Sequence, residues 1–292
     1  NTAYATASNQ QMLTAALQGL IENRHMASID GGRVLMSARA AGEVANSVIN
    51  NNGIVRATGL VERDGVIRLE AGLVAQHGTV DAGRGGSVAI AGDAIMTSGT
   101  TRAAGGDISL QAKSVYVSGT IDASDAQAAG GAISLAGHAV DVATSGAISA
   151  DGVSGGSVHL ASDAGGRVLV SGTLSAQGSA GSGGDITATA WNLSLLGGSV
   201  NADGNTAGGT IWWGGAGPTQ REALTQAEHT LVSSGASLSA RGVQGGEIIT
   251  YGKSSLVFLG SAQAASTPGA SAGGGFIELS SQGDWRMAEQ AQ

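Results

Sequence analysis

Residues 105–123, with the sequence GGDISLQAKSVYVSGTIDA, decide the fold of this chain. A glycine pair opens the stretch, and three short runs follow in which apolar and polar residues alternate, at 108–110, 115–117 and 119–123. Alternation with period two gives each run one apolar face, which is typical of β-strands. The opening phrase, Gly-Gly-x-Ile/Val-x-apolar or a near equivalent, occurs ten times, at Gly31-Gly32, Asp64-Gly65, Gly85-Gly86, Gly105-Gly106, Gly130-Gly131, Gly155-Gly156, Gly183-Gly184, Gly208-Gly209, Gly245-Gly246 and Gly274-Gly275.

The spacing of this phrase indicates a solenoid. Successive second glycines are 33, 21, 20, 25, 25, 28, 25, 37 and 29 residues apart, with a median of 25. Units of this size bury their apolar faces by stacking on their neighbours. Three strands in each unit, all facing one axis, predict an all-β, right-handed parallel β-helix of about ten three-stranded coils, with one sheet along each row of strands.

Two rows of β-branched or leucine residues and one row of alanines form the predicted interior. The alanines follow the third strand of each unit, where a narrow corner of the coil would leave no room for a larger side chain. The first row is Val88, Ile108, Ile133, Val158, Ile186, Ile211, Ile248 and Ile277, and the second is Val55, Val80, Ile121, Ile148, Leu174, Val200 and Leu238. The alanine row is Ala57, Ala82, Ala123, Ala150, Ala176, Ala202 and Ala240.

Composition limits the partners of the chain. The formal net charge is −8, which disfavours nucleic acid as a partner. No apolar run approaches the ~20 residues of a membrane span. The absence of cysteine suits a chain that crosses an oxidising periplasm unfolded. The chain begins with Asn1 and has no signal peptide, so we expect a processed or excised piece of a longer rod.

Two segments depart from the repeat and set the predicted domain limits. Residues 1–30 form an irregular N-terminal coil or cap, and residues 31–292 form the β-helix. Within the first segment, helical spacing favours a short capping helix, and one degenerate coil is the alternative; the residues concerned are Met12, Leu13, Ala16, Leu17, Leu20 and Ile21. The 37-residue step predicts a loop outside the helix at about 214–232. Such a loop carries function or is a tolerated insertion.

Two stretches near the start, 31–41 and 48–57, resemble the filamentous-haemagglutinin-type exoproteins of Gram-negative bacteria. Their sequences are GGRVLMSARAA and VINNNGIVRA, and the later GGTI at 208–211 and GGFIELS at 274–280 are similar to the repeats of that family. The resemblance implies two-partner secretion, with an outer-membrane transporter as partner, and an extracellular or surface-held adhesin, a class that includes proteins of the biofilm matrix. The family's secretion domain carries an Asn-Pro-x-Gly motif that is absent here. We therefore expect a segment downstream of that domain.

A column of alternating charges raises the question of an enzyme. Arg56, Asp81, Arg102 and Asp122 occupy the same outward position in successive coils, and some parallel β-helices cleave polysaccharides with clustered carboxylates. Because an arginine separates the two aspartates, we interpret the column as a stabilising ladder of cross-strand pairs. The five histidines are dispersed without the spacing of metal ligands, and we expect no cofactor, no metal and no catalytic site.

Tryptophans mark the predicted binding surface. Trp213 takes the inward position that leucine holds in other coils, so Trp212 faces outward, and Trp191 lies at the turn position of Lys113. Exposed aromatic rings stack on sugars, although the same rings also serve to cover a long loop. The candidate ligand-binding residues are Trp212, Gln220, Arg221, Glu222 and Trp191.

Three functions remain open from the sequence. We expect a non-enzymatic rod that mediates cell–cell or cell–matrix attachment by binding an exopolysaccharide or a cell-surface glycan. A structural spacer that holds an adhesive tip away from the cell is the first alternative. A polysaccharide lyase or hydrolase is the second.

Overall fold

The structure, a computed structural model, describes residues 2–5, 20–30, 33–37, 48–58, 65–215, 225–266 and 273–287. This part of the chain contains thirty strands and no helix. They are β1 (Thr2–Ala5), β2 (Leu20–Asn23), β3 (Met26–Asp30), β4 (Arg33–Ser37), β5 (Val48–Asn51), β6 (Ile54–Thr58), β7 (Val66–Glu70), β8 (Leu73–Gln76), β9 (Thr79–Asp81), β10 (Ser87–Ala91), β11 (Ala94–Thr97), β12 (Thr100–Arg102), β13 (Asp107–Gln111), β14 (Ser114–Val117), β15 (Thr120–Asp122), β16 (Ala132–Val142), β17 (Ala147–Ser149), β18 (Ser157–Val170), β19 (Thr173–Ser175), β20 (Asp185–Thr189), β21 (Asn192–Leu195), β22 (Ser199–Asn201), β23 (Thr210–Trp213), β24 (His229–Val232), β25 (Ser237–Ser239), β26 (Glu247–Gly252), β27 (Ser255–Phe258), β28 (Ser261–Gln263), β29 (Phe276–Ser281) and β30 (Asp284–Met287).

These strands coil into a parallel β-helix, as the sequence predicts. Each strand pairs in parallel with the equivalent strands of the coils before and after it; for example, β13 pairs with β10 and with β16. The third strand of every coil forms a separate sheet of ten strands, from β3 to β28. The described residues therefore form ten three-stranded coils and two strands of a further one.

We expected a separate sheet for each of the three strands of a coil, and this expectation is wrong for the first and second strands. β16 and β18 each supply both the first and the second strand of their coil without a break, so these two rows join into one sheet of twenty strands. At the corner Gly137 still pairs with Ser162, and after a register shift the pairing resumes at Ala139 and Arg167.

The predicted interior rows are confirmed. In the first row each residue pairs with the next, from Val88 to Ile277. All of them are buried except Ile277. Ile277 is exposed because it lies in the last coil and has no neighbour above it among the described residues. In the second row Thr101 fills the position between Val80 and Ile121. The alanine row is buried throughout.

The glycine pair has a structural cause at the alanine corner. A Cβ at Gly131 would collide with the carbonyl oxygen of Gly106 in the preceding coil, and a Cβ at Gly130 would collide with the carbonyl oxygen of Ala150 in the following coil. The amide of Gly131 also donates to the carbonyl oxygen of Ala123, at 2.9 Å. The pair is thus held between two coils and closes its own.

The loops between the alanine and the glycine pair stack into a fourth column, which we call the stacked loops. They comprise residues 124–130, 151–155, 177–183, 203–208 and 241–245. Backbone hydrogen bonds connect each loop to the next, and examples are Asp125 to Asp151 at 2.9 Å and Gly152 to Gln177 at 2.9 Å (amide to carbonyl oxygen). Their presence explains why the repeat step rises from 20 to 25 residues after Gly106.

An arginine from an earlier coil fastens the first of the stacked loops. Arg84 Nε lies 2.6 Å from Asp125 Oδ2, and Arg84 Nη1 lies 2.9 Å from Gln127 Oε1. Between them Gly105 has a φ of 63°, and a Cβ there would lie 3.0 Å from Asp125 Oδ2. Glycine at this position therefore leaves the space through which Arg84 and Asp125 meet.

The described part of the N-terminal segment consists of β1, β2 and β3 and the two-residue connection, Arg24 and His25, between the last two. Leu20 and Ile21 lie in β2, which pairs with β5, so the capping helix is wrong for these two residues. The parallel pairing with β5 holds this stretch in an extended strand of the solenoid. Residues 6–19, which include the rest of the helical pattern, lie outside the described residues, and their structure stays a prediction.

The inside–outside assignment predicts opposite effects at two adjacent residues. Ile133 is buried and Ser134 faces outward on the same strand. Ile133→Asp places an unpaired charge in the interior and should lower the free energy of unfolding by about 3 kcal/mol or more. Ser134→Asp should change it by less than about 0.5 kcal/mol. Urea unfolding of both variants measures the difference, and equal losses would contradict the assignment.

The first stacked loop should loosen in acid. The pKa of Asp125 is lowered, chiefly by the hydrogen bond from the Gln127 amide and also by Arg84. A carboxyl whose pKa falls on folding stabilises the folded state fully above its unfolded value of about 3.9, and this contribution is lost as the pH falls through the lower folded value. We expect the Gln127 amide to lose protection from hydrogen exchange in that range, after correction for intrinsic rates.

An Arg84→Met variant provides the control for this effect. It should show part of the same loss already at neutral pH, because the guanidinium contacts to Asp125 and Gln127 are gone. Protection of Gln127 that is unchanged by acid and by Arg84→Met would show that these contacts do not fasten the loop.

Candidate functional site

The two adjacent tryptophans point in opposite directions, as expected. Trp213 is fully buried in the interior. Trp212 lies on the outer face, where it is half-buried and its Nε1 donates to Glu247 Oε1 at 2.7 Å. Its register neighbour Ile249 also faces outward yet is completely buried, and Tyr251 on the same strand is buried too. Trp212 therefore belongs to a covered apolar cluster on the outer face.

The loop predicted at about 214–232 is shorter than expected. Its last four residues, His229–Val232, form β24 and pair with Asn192–Leu195 of the preceding coil. The apolar alternation of these residues makes them the second strand of their coil. We call residues 214–228 the excursion. Gln220, Arg221 and Glu222 fall in the stretch 216–224, which lies outside the described residues.

Both ends of the excursion are fastened to the rod. The Ala227 amide donates to the Gly214 carbonyl oxygen at 2.9 Å, which closes the base of the excursion. The Lys253 amide donates to the Ala227 carbonyl oxygen at 2.7 Å, and Ala227 is fully buried. The amide of Glu228 donates to the carbonyl oxygen of Trp191 at 3.1 Å. The excursion thus returns to the rod beside Trp191.

Trp191 borders a shallow cavity of about 640 Å³, which we call the Trp191 cavity. The side chain remains 45% exposed because it sits at the corner between the first and second strands of its coil. The same corner position belongs to Lys113 and His138 in earlier coils. The other lining residues are Ser162, Asp163, Ala164, Thr225, Gln226, Glu228 and Lys253.

Charged side chains of both signs line the cavity beside the exposed indole of Trp191. Asp163 Oδ1 lies 2.6 Å from His138 Nδ1, and Glu228 accepts a hydrogen bond from the Ser254 hydroxyl. Lys253 is exposed, and the structure gives it no ion pair among the described residues. Such a set offers donors and acceptors beside an aromatic surface, which is the composition of many small-ligand sites.

Most of these lining residues were not identified from the sequence. Asp163 and Ala164 come from a bulge in β18, where residues 163–166 replace the single residue His138 of the preceding coil. The 28-residue step between Gly156 and Gly184 is the signal of this insertion in the sequence. Gln226 and Glu228 reach the site only because the excursion folds back onto the corner.

The charged column is stacked as predicted. Arg56, Asp81, Arg102 and Asp122 follow one another in register. The guanidinium Nε of Arg56 lies 3.6 Å from Asp81 Oδ2, and Arg102 Nε lies 3.6 Å from Asp122 Oδ2. Each carboxylate also accepts a backbone amide, from Gly83 and from Ser124. Both aspartates are thus engaged in contacts that hold strands and turns.

Neither a metal centre nor a membrane-spanning helix is found within the described ranges. The structure contains no group of three or more His, Cys, Asp or Glu side chains there that could hold a metal ion. No helix in the described part of the chain is long and apolar enough to cross a membrane.

The fold is similar to a solved structure, the crystal structure of the HMW1 secretion domain from Haemophilus influenzae. The TM-score is 0.66 and the sequence identity 20%, over 90% of this chain and 82% of that one. At this identity the likeness establishes the parallel β-helical fold alone. No protein-family model matches the chain, and no curated protein matches it.

The ladder interpretation predicts a small effect of removing one arginine. Arg102 is half-exposed, and exposed ion pairs contribute about 0–1 kcal/mol. Arg102→Ala should therefore lower the free energy of unfolding by less than about 1 kcal/mol. Asp122→Ala, the matched variant, should cost more, because the Ser124 amide loses its acceptor as well. A sugar-cleaving activity that Arg102→Ala abolishes would overturn the interpretation.

Proposed function

We propose that this chain is a segment of the β-helical rod of a secreted bacterial adhesin of the two-partner-secretion type. The proposal rests on the stacked coils, on the sequence resemblance of residues 31–41 and 48–57 to filamentous-haemagglutinin-type exoproteins, and on the fold similarity to a secretion domain. Its partner in export is an outer-membrane transporter, and it acts outside a Gram-negative cell without catalysis.

The segment lies downstream of the secretion domain in this proposal, in the fibre. The missing Asn-Pro-x-Gly motif supports this position, whereas the similarity to the HMW1 secretion domain favours a secretion domain. Export distinguishes the two: the segment should leave the periplasm only when a secretion domain is fused before it. Export of the segment alone by a two-partner transporter would assign it to the secretion domain.

The exposed Trp191 beside its cavity is the observation that carries the binding function. A pyranose ring has an apolar face that stacks on an indole, while its hydroxyls need donors and acceptors such as Gln226, Glu228 and Lys253. Trp191 serves this role better than Trp212, which is half-buried and bonded to Glu247. Gln220, Arg221 and Glu222 stay predicted contacts, since they belong to the excursion whose base lines the cavity.

A single shallow site of this kind binds weakly. The strength of attachment therefore comes from many copies, presented together along fibres or on a cell surface, that engage one matrix polysaccharide or cell-surface glycan. A rigid rod suits this purpose because it fixes the sites relative to each other. The competing function, a spacer, requires no site at all.

Replacing Trp191 tests the adhesin function. Trp191→Ala should weaken binding to matrix polysaccharide roughly threefold to tenfold, the effect expected from loss of one aromatic contact. Tyr116→Ala is the control, because Tyr116 is similarly exposed on the rod but does not line the cavity. The measurement is a pull-down titration on folded protein, with circular dichroism to confirm that the variants fold alike.

The outcomes separate the candidates. Binding that is lost in Trp191→Ala and kept in Tyr116→Ala supports the site. Equal binding by the unaltered segment, Trp191→Ala and Tyr116→Ala would show that Trp191 is not part of the site. Trp212→Ala would then test the apolar cluster to which Trp212 belongs. No binding by the unaltered segment favours the spacer.

A further inference from the structure

A second cavity lies on the same corner of the rod, on the other side of the β18 bulge. Its volume is also about 640 Å³, and we call it the His138 cavity. Ala136 and Gly137 form part of its floor, so no large side chain fills it. Its polar lining residues include Arg68, Glu70, Gln111, Lys113, His138 and Asp163.

The two cavities follow one another along the rod axis. They share Ser162 and Asp163, which belong to the bulge between them. His138 and Trp191 occupy the same corner position of their coils, so both cavities open on the same edge. From the coil of β7 to that of β26 there are seven steps of ~4.8 Å, and the combined length is roughly 34 Å. Such a site is long enough for several sugar units in a row.

Charges in the His138 cavity are compensated locally. Arg68 Nε lies 3.7 Å from Glu70 Oε2, Lys113 Nζ lies 2.9 Å from Asp93 Oδ1, and His138 contacts Asp163. The Trp191 cavity contains one cationic side chain, Lys253, and the carboxylates of Glu228 and Asp163, without an ion pair to Lys253 among the described residues. Carboxylates match the Lys and Arg side chains in number over the two cavities, and the overall net charge is −8, so no net positive charge attracts a polyanion here. The polar groups nevertheless supply donors and acceptors for hydroxyls.

We infer that the two cavities are subsites for one linear, uncharged polysaccharide chain that lies along the rod axis. Sugar units stack on Trp191 at one end and hydrogen-bond to Gln111, Lys113 and His138 at the other, passing the bulge at Asp163. This inference rests on the proposed adhesin function and specifies its ligand. The polymer gains affinity over a short fragment because the second contact is intramolecular.

The experiment blocks one cavity at a time. Ala136→Ile fills the floor of the His138 cavity with a residue that suits a strand. Ser134→Ile is the matched control, since Ser134 faces outward two residues earlier on the same strand and does not line the cavity. The probes are a linear uncharged glucan, a short fragment of it, and a polyuronate of equal length, each titrated against the whole segment.

We expect the uncharged glucan to bind at least about tenfold more tightly than its short fragment. Ala136→Ile should reduce binding of the polymer to the level of the fragment and leave the fragment unaffected. Trp191→Ala should weaken both, and Ser134→Ile should match the unaltered segment. Binding should change little with salt, because no net charge is neutralised.

Several results would overturn the inference while the adhesin function stands. These are equal polymer binding by Ala136→Ile and the unaltered segment, tighter binding of the polyuronate, or equal affinity for polymer and fragment. If neither the unaltered segment nor any variant binds any of the three probes, the inference is wrong. A positive pull-down on native matrix would then support the adhesin function without this ligand.

Discussion

Close stacking of backbone on backbone at the alanine corner is the constraint on which the rest of the structure depends. Gly131 lies against Gly106 of the coil below, and Gly130 lies against Ala150 of the coil above, with no space for a Cβ at either position. The same Gly131 amide closes its coil on Ala123. Where this junction forms, it holds neighbouring coils at backbone-contact distance, and the register of the interior rows and the parallel ladders of the strands are consistent with that spacing.

Variation is tolerated where this junction is not disturbed. The stacked loops extend outward between the alanine and the glycine pair, and their ends are joined by the closing hydrogen bond. At the first corner, β18 takes up a bulge, and the excursion after Trp213 leaves and returns at bonded positions, Gly214 and Ala227. The fold thus supplies a constant interior and places its irregular segments on two outer edges. One of these edges carries both cavities.

Much of the fold could be predicted from the sequence because its determinants are local and periodic. The pairing of Ile108 with Ile133, the buried position of Trp213 and the alternation of Arg102 with Asp122 all follow from a period of two and a repeating phrase. The binding surface could not be predicted to the same degree. It depends on where separate corners meet: Asp163 and Glu228 are far apart in sequence, and each reaches the Trp191 cavity through an insertion. The helical spacing that includes Leu20 and Ile21 predicted a helix, and this prediction is wrong for these two residues because long-range pairing with β5 outweighs the local pattern.

The direction of the hydrogen bonds gives the rod an unequal response to force. Ladder bonds run along the axis, so tension between the two ends loads all three strands of a coil together, and rupture requires many bonds to break at once. The chain contains no cysteine, and no disulfide shares the load. The stacked loops add a fourth load-bearing column from the coil of Asp125 onward, with Arg84 reaching across its lower end. Under tension along the axis, this column shares the load with the three strands of each coil in the part of the rod that contains Trp191.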